Sequence, residues 1–326
     1  MKVTVAGAGA WGTALAALLR NGGHEVTLWG HSREHLDEIR KDQESKRYLP
    51  GVHLPAGIQF QPDFSEACVA AESVVVALPS RAFREVTRGL NRFSGLLVSV
   101  TKGIEYESGA TMSAILRENA PEAKIGALSG PTLALEVARG IPAAIVAASH
   151  SLAVAEAIQQ LFHSRTFRVY TSTDLLGVEL GGALKNVIAV GAGVCDGLGF
   201  GDNSKAGLIT RAIVEIRRVG VACSAHADTF SGLSGLGDLT VTCFSRLSRN
   251  RGFGERLGRG EPLQKVLTTM ESVAEGHPTA RSAYHLARKI NVSTPIIDEV
   301  YAMLYEGKDI GRAVRDLTCR DSKSES

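Results

Sequence analysis

A large charge of either sign is missing from this sequence: 36 lysines and arginines stand against 34 aspartates and glutamates, a formal net charge of +2. That balance gives no electrostatic footing for a nucleic-acid partner or a membrane surface, so any affinity for anions has to be local. Cysteine is sparse and scattered. Cys68, Cys195, Cys223, Cys243 and Cys319 form no CxxC pair and no Cys/His ligand pattern. Their spacing argues against a structural metal and favours free thiols in a reducing compartment, which for this chain means a cytoplasmic one. The opening MKVTVAGAGAWG lacks the basic region, long apolar core and small-residue cleavage site of a signal peptide, so none is expected. The most apolar stretch, around Lys185, is rich in glycine and broken by that charge, so no integral membrane span is expected either. Fixed-period repeats, low-complexity tracts and Pro/Ser-rich linkers are absent as well.

What is present is enough apolar material for a sizeable core: 326 residues, 44% of them hydrophobic, a length that suits two domains better than one. Residues 2-KVTVAGAG-9 read as a short strand ending in glycines. The run 10-AWGTALAALLRNGG-23 reads as an Ala/Leu helix closed by glycines, and 24-HEVTLWG-30 as a second strand. Together they make the β-turn-α-β unit from which parallel doubly wound sheets are built. Further strands are expected at 73-SVVVALP-79, 96-LLVSVT-101, 124-KIGAL-128 and 143-AAIVAA-148, nearly continuously apolar as strands covered on both faces should be. Helical patterns at 108–119 and 152–162 separate them. From about Asp174 long helical patterns follow one another, including 206–223 and 280–290, and 319-CRDSKSES-326 reads as a frayed tail. The expected fold class is therefore α/β: a Rossmann-like doubly wound sheet over residues 1–172, then a mostly α-helical second domain over 173–326.

Gly7, Gly9 and Gly12 form a GxGxxG turn between a strand and a helix, where glycines permit a tight turn, close approach to a pyrophosphate and helix packing. The helix start would supply N–H groups and a positive dipole end to the phosphates. At the end of the second strand, where NAD sites carry an acidic residue for the ribose 2′-hydroxyl, this chain has His31, Ser32 and Arg33. A cation there suits a 2′-phosphate, so the expected cofactors are NADP(H) and NAD(H), with the weight on the former. A second cluster, 248-SRNR-251, gathers donors suited to a phosphate, since arginine can bind one through two parallel N–H contacts. The stretches 101-TKGIE-105 and 128-LSGPTLALEVARG-140 follow late strands, whose ends line the ligand crevice of an open α/β sheet.

Lys185 is the lone charge in 180-LGGALKNVIAVGAGVC-195. A lysine can snorkel out of an apolar helix. Here, however, Gly182, Lys185, Ala189 and Ala192 share one side, and small residues on that side allow a cofactor or a sheet edge to come close. A lysine held in such a crevice would have a lowered pKa and could pass a proton to a carbonyl oxygen as hydride arrives.

GAGAWGTALA, VALPS, TKGIE, LSGPTLALEVARG, ELGGALKNVIAVGAG, GDNSKAGLITR, GLSGLGDLTVTC, SRNRGFG and ESVAEGHPTA, in this order, resemble the bacterial NAD(P)-dependent glycerol-3-phosphate dehydrogenase family from Lys2 to about Gly311. The resemblance implies reversible reduction of dihydroxyacetone phosphate to sn-glycerol 3-phosphate, the backbone precursor of membrane phospholipids, by a homodimer. It implies that Lys185 is the general acid/base. Lys102, Gly130, Thr132, Asp238, Ser248, Arg249 and Asn250 would contact the substrate. Trp11, His31, Arg33, Tyr48, Ala134, Val273 and Glu275 would lie on the cofactor side, with Lys102 and Arg249 able to serve both. Thr132 departs from the serine common in the family, keeping the hydroxyl and adding a methyl. Two other readings remain open at this stage: a dinucleotide-binding redox sensor without turnover, and a β-hydroxyacid or 6-phosphogluconate-type dehydrogenase, which also pairs this fold with a helix-borne lysine.

Overall fold

The computed structural model describes residues 1–270 and 273–319; the expected tail beyond Cys319 lies outside them. The eight strands are β1 (Lys2–Ala6), β2 (Glu25–Trp29), β3 (Gln59–Gln61), β4 (Ser73–Val76), β5 (Leu96–Ser99), β6 (Lys124–Ser129), β7 (Ala143–Ala148) and β8 (Phe167–Ser172). They form one sheet in the order β3-β2-β1-β4-β5-β6-β7-β8. All four residues of β4 and of β5 are buried, because helices cover both faces and leave no solvent side for a polar alternation. One apolar cluster on β1, β2 and β5 takes in Leu15 and Leu19 of the first helix. Another, on β4, takes in Phe83, Ile115 and Leu116.

The sheet departs from the all-parallel expectation at one seam. β6 and β7 pair antiparallel, with Leu128 opposite Ala147, while β7 and β8 run parallel. The segment joining β6 to β7 turns at Gly130, whose φ is +152°, and contains only the short helix Ala134–Ala138. The chain folds straight back there into β7. β3 and β8 carried no strand signal, β3 because it has only three residues and β8 because FRVYTS puts polar side chains on an exposed outer face. The helix expected at 108–119 begins at Met112 instead. Before it, Gly109 at φ +74° and the Ser108 hydroxyl, which donates to Glu105 and accepts from the Ala110 amide, hold a turn.

Beyond β8 the chain is helical. Its centre is Leu175–Gly197, a helix of 23 residues that by length and composition alone could cross a membrane. Nearly all of it is buried inside the protein, which identifies it as a core helix rather than a span. Around it pack the helices Asp202–Ala222, Asp238–Phe244, Arg249–Gly258, Gly276–Lys289 and Pro295–Tyr305. Asp174, the residue before the central helix, accepts from the Gly177 amide at 3.0 Å and caps that helix start.

Candidate active site

The glycine turn is built as tightly as its sequence implies. A Cβ on Gly7 would lie 2.4 Å from the Ala77 carbonyl oxygen, and one on Gly12 would lie 1.9 Å from the Gly7 carbonyl oxygen. Those two glycines are therefore required by contact between backbone segments. Gly9 differs: a Cβ there would meet nothing within 4 Å. It is the N-cap of the helix Ala10–Asn21, and no side chain caps that start. An open glycine before an uncapped helix start fits a pyrophosphate, with the free N–H groups and the dipole aimed at it.

Around this turn, Trp11 and Ala134 pack against the same small cluster of Ala14, Leu49 and Val52. Tyr48 sets its ring edge-on to His35, centroids 5.1 Å apart. Arg33 and His31 are exposed just past β2, where Ser32 caps the helix Arg33–Asp42 by accepting from the His35 amide. His35 had no sequence signal. It closes the turn from outside, with Nε2 3.2 Å from the Ala8 carbonyl oxygen.

At the other end of the crevice, Asp238 is 1% exposed and sits between two lysines. Lys185 Nζ donates to Asp238 Oδ1 at 2.6 Å and to Thr242 Oγ1 at 2.5 Å. Lys102 Nζ donates to Asp238 Oδ2 at 2.5 Å and to the Gly130 carbonyl at 3.0 Å, and the Thr132 hydroxyl donates to that same carbonyl. Each ammonium has three hydrogens, so each keeps one for a ligand. Thr242 was also missed. Its own hydrogen goes to the Asp238 carbonyl at 2.6 Å, which leaves its oxygen to accept from Lys185. Burial pulls the Lys185 pKa down to about 8; the Asp238 carboxylate resists that shift and the Lys102 charge adds to it. Gly182 lets the helix lie against the end of β6, since a Cβ there would come 2.4 Å from Ser129 Oγ.

The anion cluster sits at the start of the helix Arg249–Gly258, where Ser248 is the N-cap and accepts from the Arg251 amide. Asn250 is buried and its amide is engaged at both ends: Nδ2 donates to Asn186 Oδ1 at 2.9 Å, and Oδ1 accepts from the Gly276 amide at 2.8 Å. Arg249 is exposed, yet protein crowds its charge. That crowding lowers its pKa from the ordinary arginine value, and the Glu275 carboxylate opposes the shift. Glu275 in turn accepts from the Ser80 amide at 3.1 Å and the Ser80 hydroxyl at 2.6 Å, which places it over the start of the helix Ser80–Thr87. Val273 lies half-buried on the approach to Glu275.

The structure thus gathers Lys102, Gly130, Thr132, Lys185 and Asp238 into one network. Asn250 and Glu275 are joined to it through Asn186 and Gly276, while the glycine turn lies across the sheet's C-terminal edge. An ammonium held at the carboxyl ends of a doubly wound sheet, opposite an open phosphate cradle, belongs to the dinucleotide-dependent oxidoreductases. Comparison with known proteins narrows the class. Residues 2–155 match the model for the NAD-dependent glycerol-3-phosphate dehydrogenase N-terminus and residues 174–315 the model for its C-terminus. The glycerol-3-phosphate dehydrogenase [NAD(P)+] of Chlorobium phaeobacteroides is 45% identical over 331 residues, covering 100% of this chain and 99% of that one. That of Pelodictyon phaeoclathratiforme is 46% identical with the same coverage. The crystal structure of glycerol-3-phosphate dehydrogenase from Coxiella burnetii superposes with a TM-score of 0.94 at 32% identity, covering 98% of this chain and 99% of that one. The chain belongs to the NAD-dependent glycerol-3-phosphate dehydrogenase family and is an NAD(P)-dependent oxidoreductase.

Proposed function

We propose that the chain interconverts dihydroxyacetone phosphate and sn-glycerol 3-phosphate with NADPH or NADH, supplying the glycerol phosphate backbone of phospholipids, and that Lys185 is its acid/base. The observation that carries this reading is the buried Lys102–Asp238–Lys185 bridge with one hydrogen free on each ammonium. The glycine turn of Gly7, Gly9 and Gly12, with Trp11, His31, Arg33, Tyr48, Ala134, Val273 and Glu275, would hold the dinucleotide, whose nicotinamide supplies or accepts the hydride. Negative charge develops on the C2 oxygen in the reductive direction. The free hydrogen of Lys185 stabilises that charge and then passes to the oxygen, and Asp238, fixed by both lysines, keeps the ammonium aimed. Asp238 accepts from both lysines and would orient Lys185, and its remaining lone pairs stay open to a substrate hydroxyl.

Ser248, Arg249 and the first-turn N–H groups of their helix would take the substrate phosphate. A redox sensor has no use for this second, cationic pole. The resemblance also implies a cytoplasmic homodimer, and the five thiols are all free, as a reducing compartment would keep them; the sedimentation mass decides between one chain and two.

Turnover of dihydroxyacetone phosphate, glycerate semialdehydes and 6-phosphogluconate with each nicotinamide cofactor tests the substrate. Arg249→Ala tests the phosphate. It should remove a charge-assisted contact of roughly 1.5–3 kcal/mol, about tenfold or more in kcat/KM for dihydroxyacetone phosphate, and affect dihydroxyacetone much less. Equal losses on both substrates would remove Arg249 from the phosphate site, and preference for another panel member would overturn the reaction.

A further inference from the structure

The central helix Leu175–Gly197 and the helix Arg249–Gly258 run side by side in parallel register, with three contacts at one offset. The Asn186 and Asn250 side chains bond to each other, 64 positions apart in the chain. One turn on, a Cβ on Gly254 would lie 2.0 Å from the Val190 carbonyl oxygen and 3.0 Å from the Val194 amide nitrogen. A further turn on, a Cβ on Gly258 would lie 2.5 Å from the Val194 carbonyl oxygen. From the other side, a Cβ on Gly193 would lie 2.0 Å from the Arg251 carbonyl oxygen and one on Gly197 would lie 2.4 Å from that of Glu255. The backbones touch along the whole seam, with no side chain between them. Where such flexible spacers are missing, the separation and register of two helices are set by backbone contact. Charge also ties the two helices: Asp196, near the end of the central helix, pairs with Arg251 in the first turn of its neighbour and with Lys205, each at 2.6 Å. Lys185 lies on the first of these helices, next to Asn186, and Arg249 opens the second, next to Asn250.

We infer that this glycine seam is a ruler, in which Gly193, Gly197, Gly254 and Gly258 act as positioning residues that fix the span from the Arg249 anion site to the Lys185 ammonium. The span selects substrates by the number of atoms between phosphate and carbonyl. The inference rests on the reading that Arg249 takes the phosphate and Lys185 the carbonyl oxygen. An alanine at Gly254 or Gly258 pushes the helices apart and shifts Arg249 relative to Lys185, while every side chain that would touch the substrate keeps its identity. Gly252 lies on the same helix, but a Cβ there would meet nothing within 4 Å.

The test compares dihydroxyacetone phosphate with 1,4-dihydroxybutan-2-one 4-phosphate, which carries one more methylene between carbonyl and phosphate. The wild type should favour the shorter substrate in kcat/KM by about tenfold or more, the scale of one methylene in a rigid site. Gly254→Ala and Gly258→Ala should narrow that ratio severalfold, chiefly by losing activity on the shorter substrate, with NADPH affinity kept. Gly252→Ala should leave the ratio as in the wild type. A merely structural seam would lower both substrates together and leave the ratio alone, and that result in either folded variant overturns the ruler. Should Gly254→Ala fail to fold, Gly258→Ala and the wild-type ratio still decide. Equal wild-type turnover of the two substrates overturns the ruler but not the reaction, whereas turnover of neither overturns both.

Discussion

Lys185 has three hydrogens to place, and the protein takes two, for Asp238 Oδ1 and Thr242 Oγ1. The third has no protein partner among the described residues. Lys185→Met keeps an unbranched stem and deletes the charge, so the variant should fold and bind NADPH while kcat falls about a hundredfold or more. Arginine at the same position should restore little, because a guanidinium does not give up its proton in the working pH range. With the lysine pKa brought down to about 8, the two directions should titrate oppositely. Reduction needs the ammonium, so its kcat/KM should be full below about pH 8 and fall above it. Oxidation needs the free amine, so its kcat/KM should rise through the same region. Parallel profiles in the two directions, or near-normal turnover in a folded Lys185→Met protein, would return the lysine to a packing role.

Among the elements, the turn after β1 and the helix start after β2 would divide the work on the dinucleotide under the proposed function. Gly7 and Gly12 are fixed by backbone they touch, and only Gly9 faces open space. On the proposed reading, specificity for the adenosine ribose would fall to His31 and to Arg33 in the first turn of the helix Arg33–Asp42, both exposed, with no acidic residue at the end of β2 to bind a 2′-hydroxyl. Arg33→Asp should shift the ratio of NADPH to NADH kcat/KM toward NADH, since a carboxylate there repels a 2′-phosphate. A strong NADH preference in the wild type that the change leaves untouched would assign the ribose to other residues.

On the scale of the whole molecule, the helical half holds the sheet half through buried carboxylates set over helix starts. Glu179 of the central helix accepts from the Ser113 amide at 2.8 Å and from the Ser113 hydroxyl, and Glu275 does the same for Ser80. Each carboxylate is held by N-terminal donors that a helix leaves unpaired. Burial raises the pKa of both, and the Ser113 and Ser80 hydrogen bonds offset part of that rise. Removing Glu179 should thus strand the Ser113 donors in a dry interface. We expect Glu179→Ala to lose about 1–3 kcal/mol of stability in denaturant titrations. Unchanged stability would show that water takes the place of the carboxylate.

Local chemistry was legible in the sequence because it repeats over short distances. The glycine turn, the continuously apolar β4 and β5, and the lone lysine in a small-residue helix all speak through neighbours a few residues away. Partners brought in from far along the chain were silent. Thr242 lies 57 positions from Lys185 and Ser80 lies 195 from Glu275, and a serine or threonine reads the same whether it aims a catalytic ammonium or faces water. The reversal at β7 was equally hidden, since an apolar strand carries no mark of its direction. Asn250 read as a phosphate donor, but the fold spends most of its amide on Asn186 and Gly276. Residue order alone marked most of the strands and helices, β3 and β8 excepted, and the side chains that could carry the chemistry, because propensity and periodicity are local. Only the tertiary structure decided which charges meet, how far apart they stand, and that one buried carboxylate would be shared by two lysines, because those follow from backbone packing between segments distant in the chain.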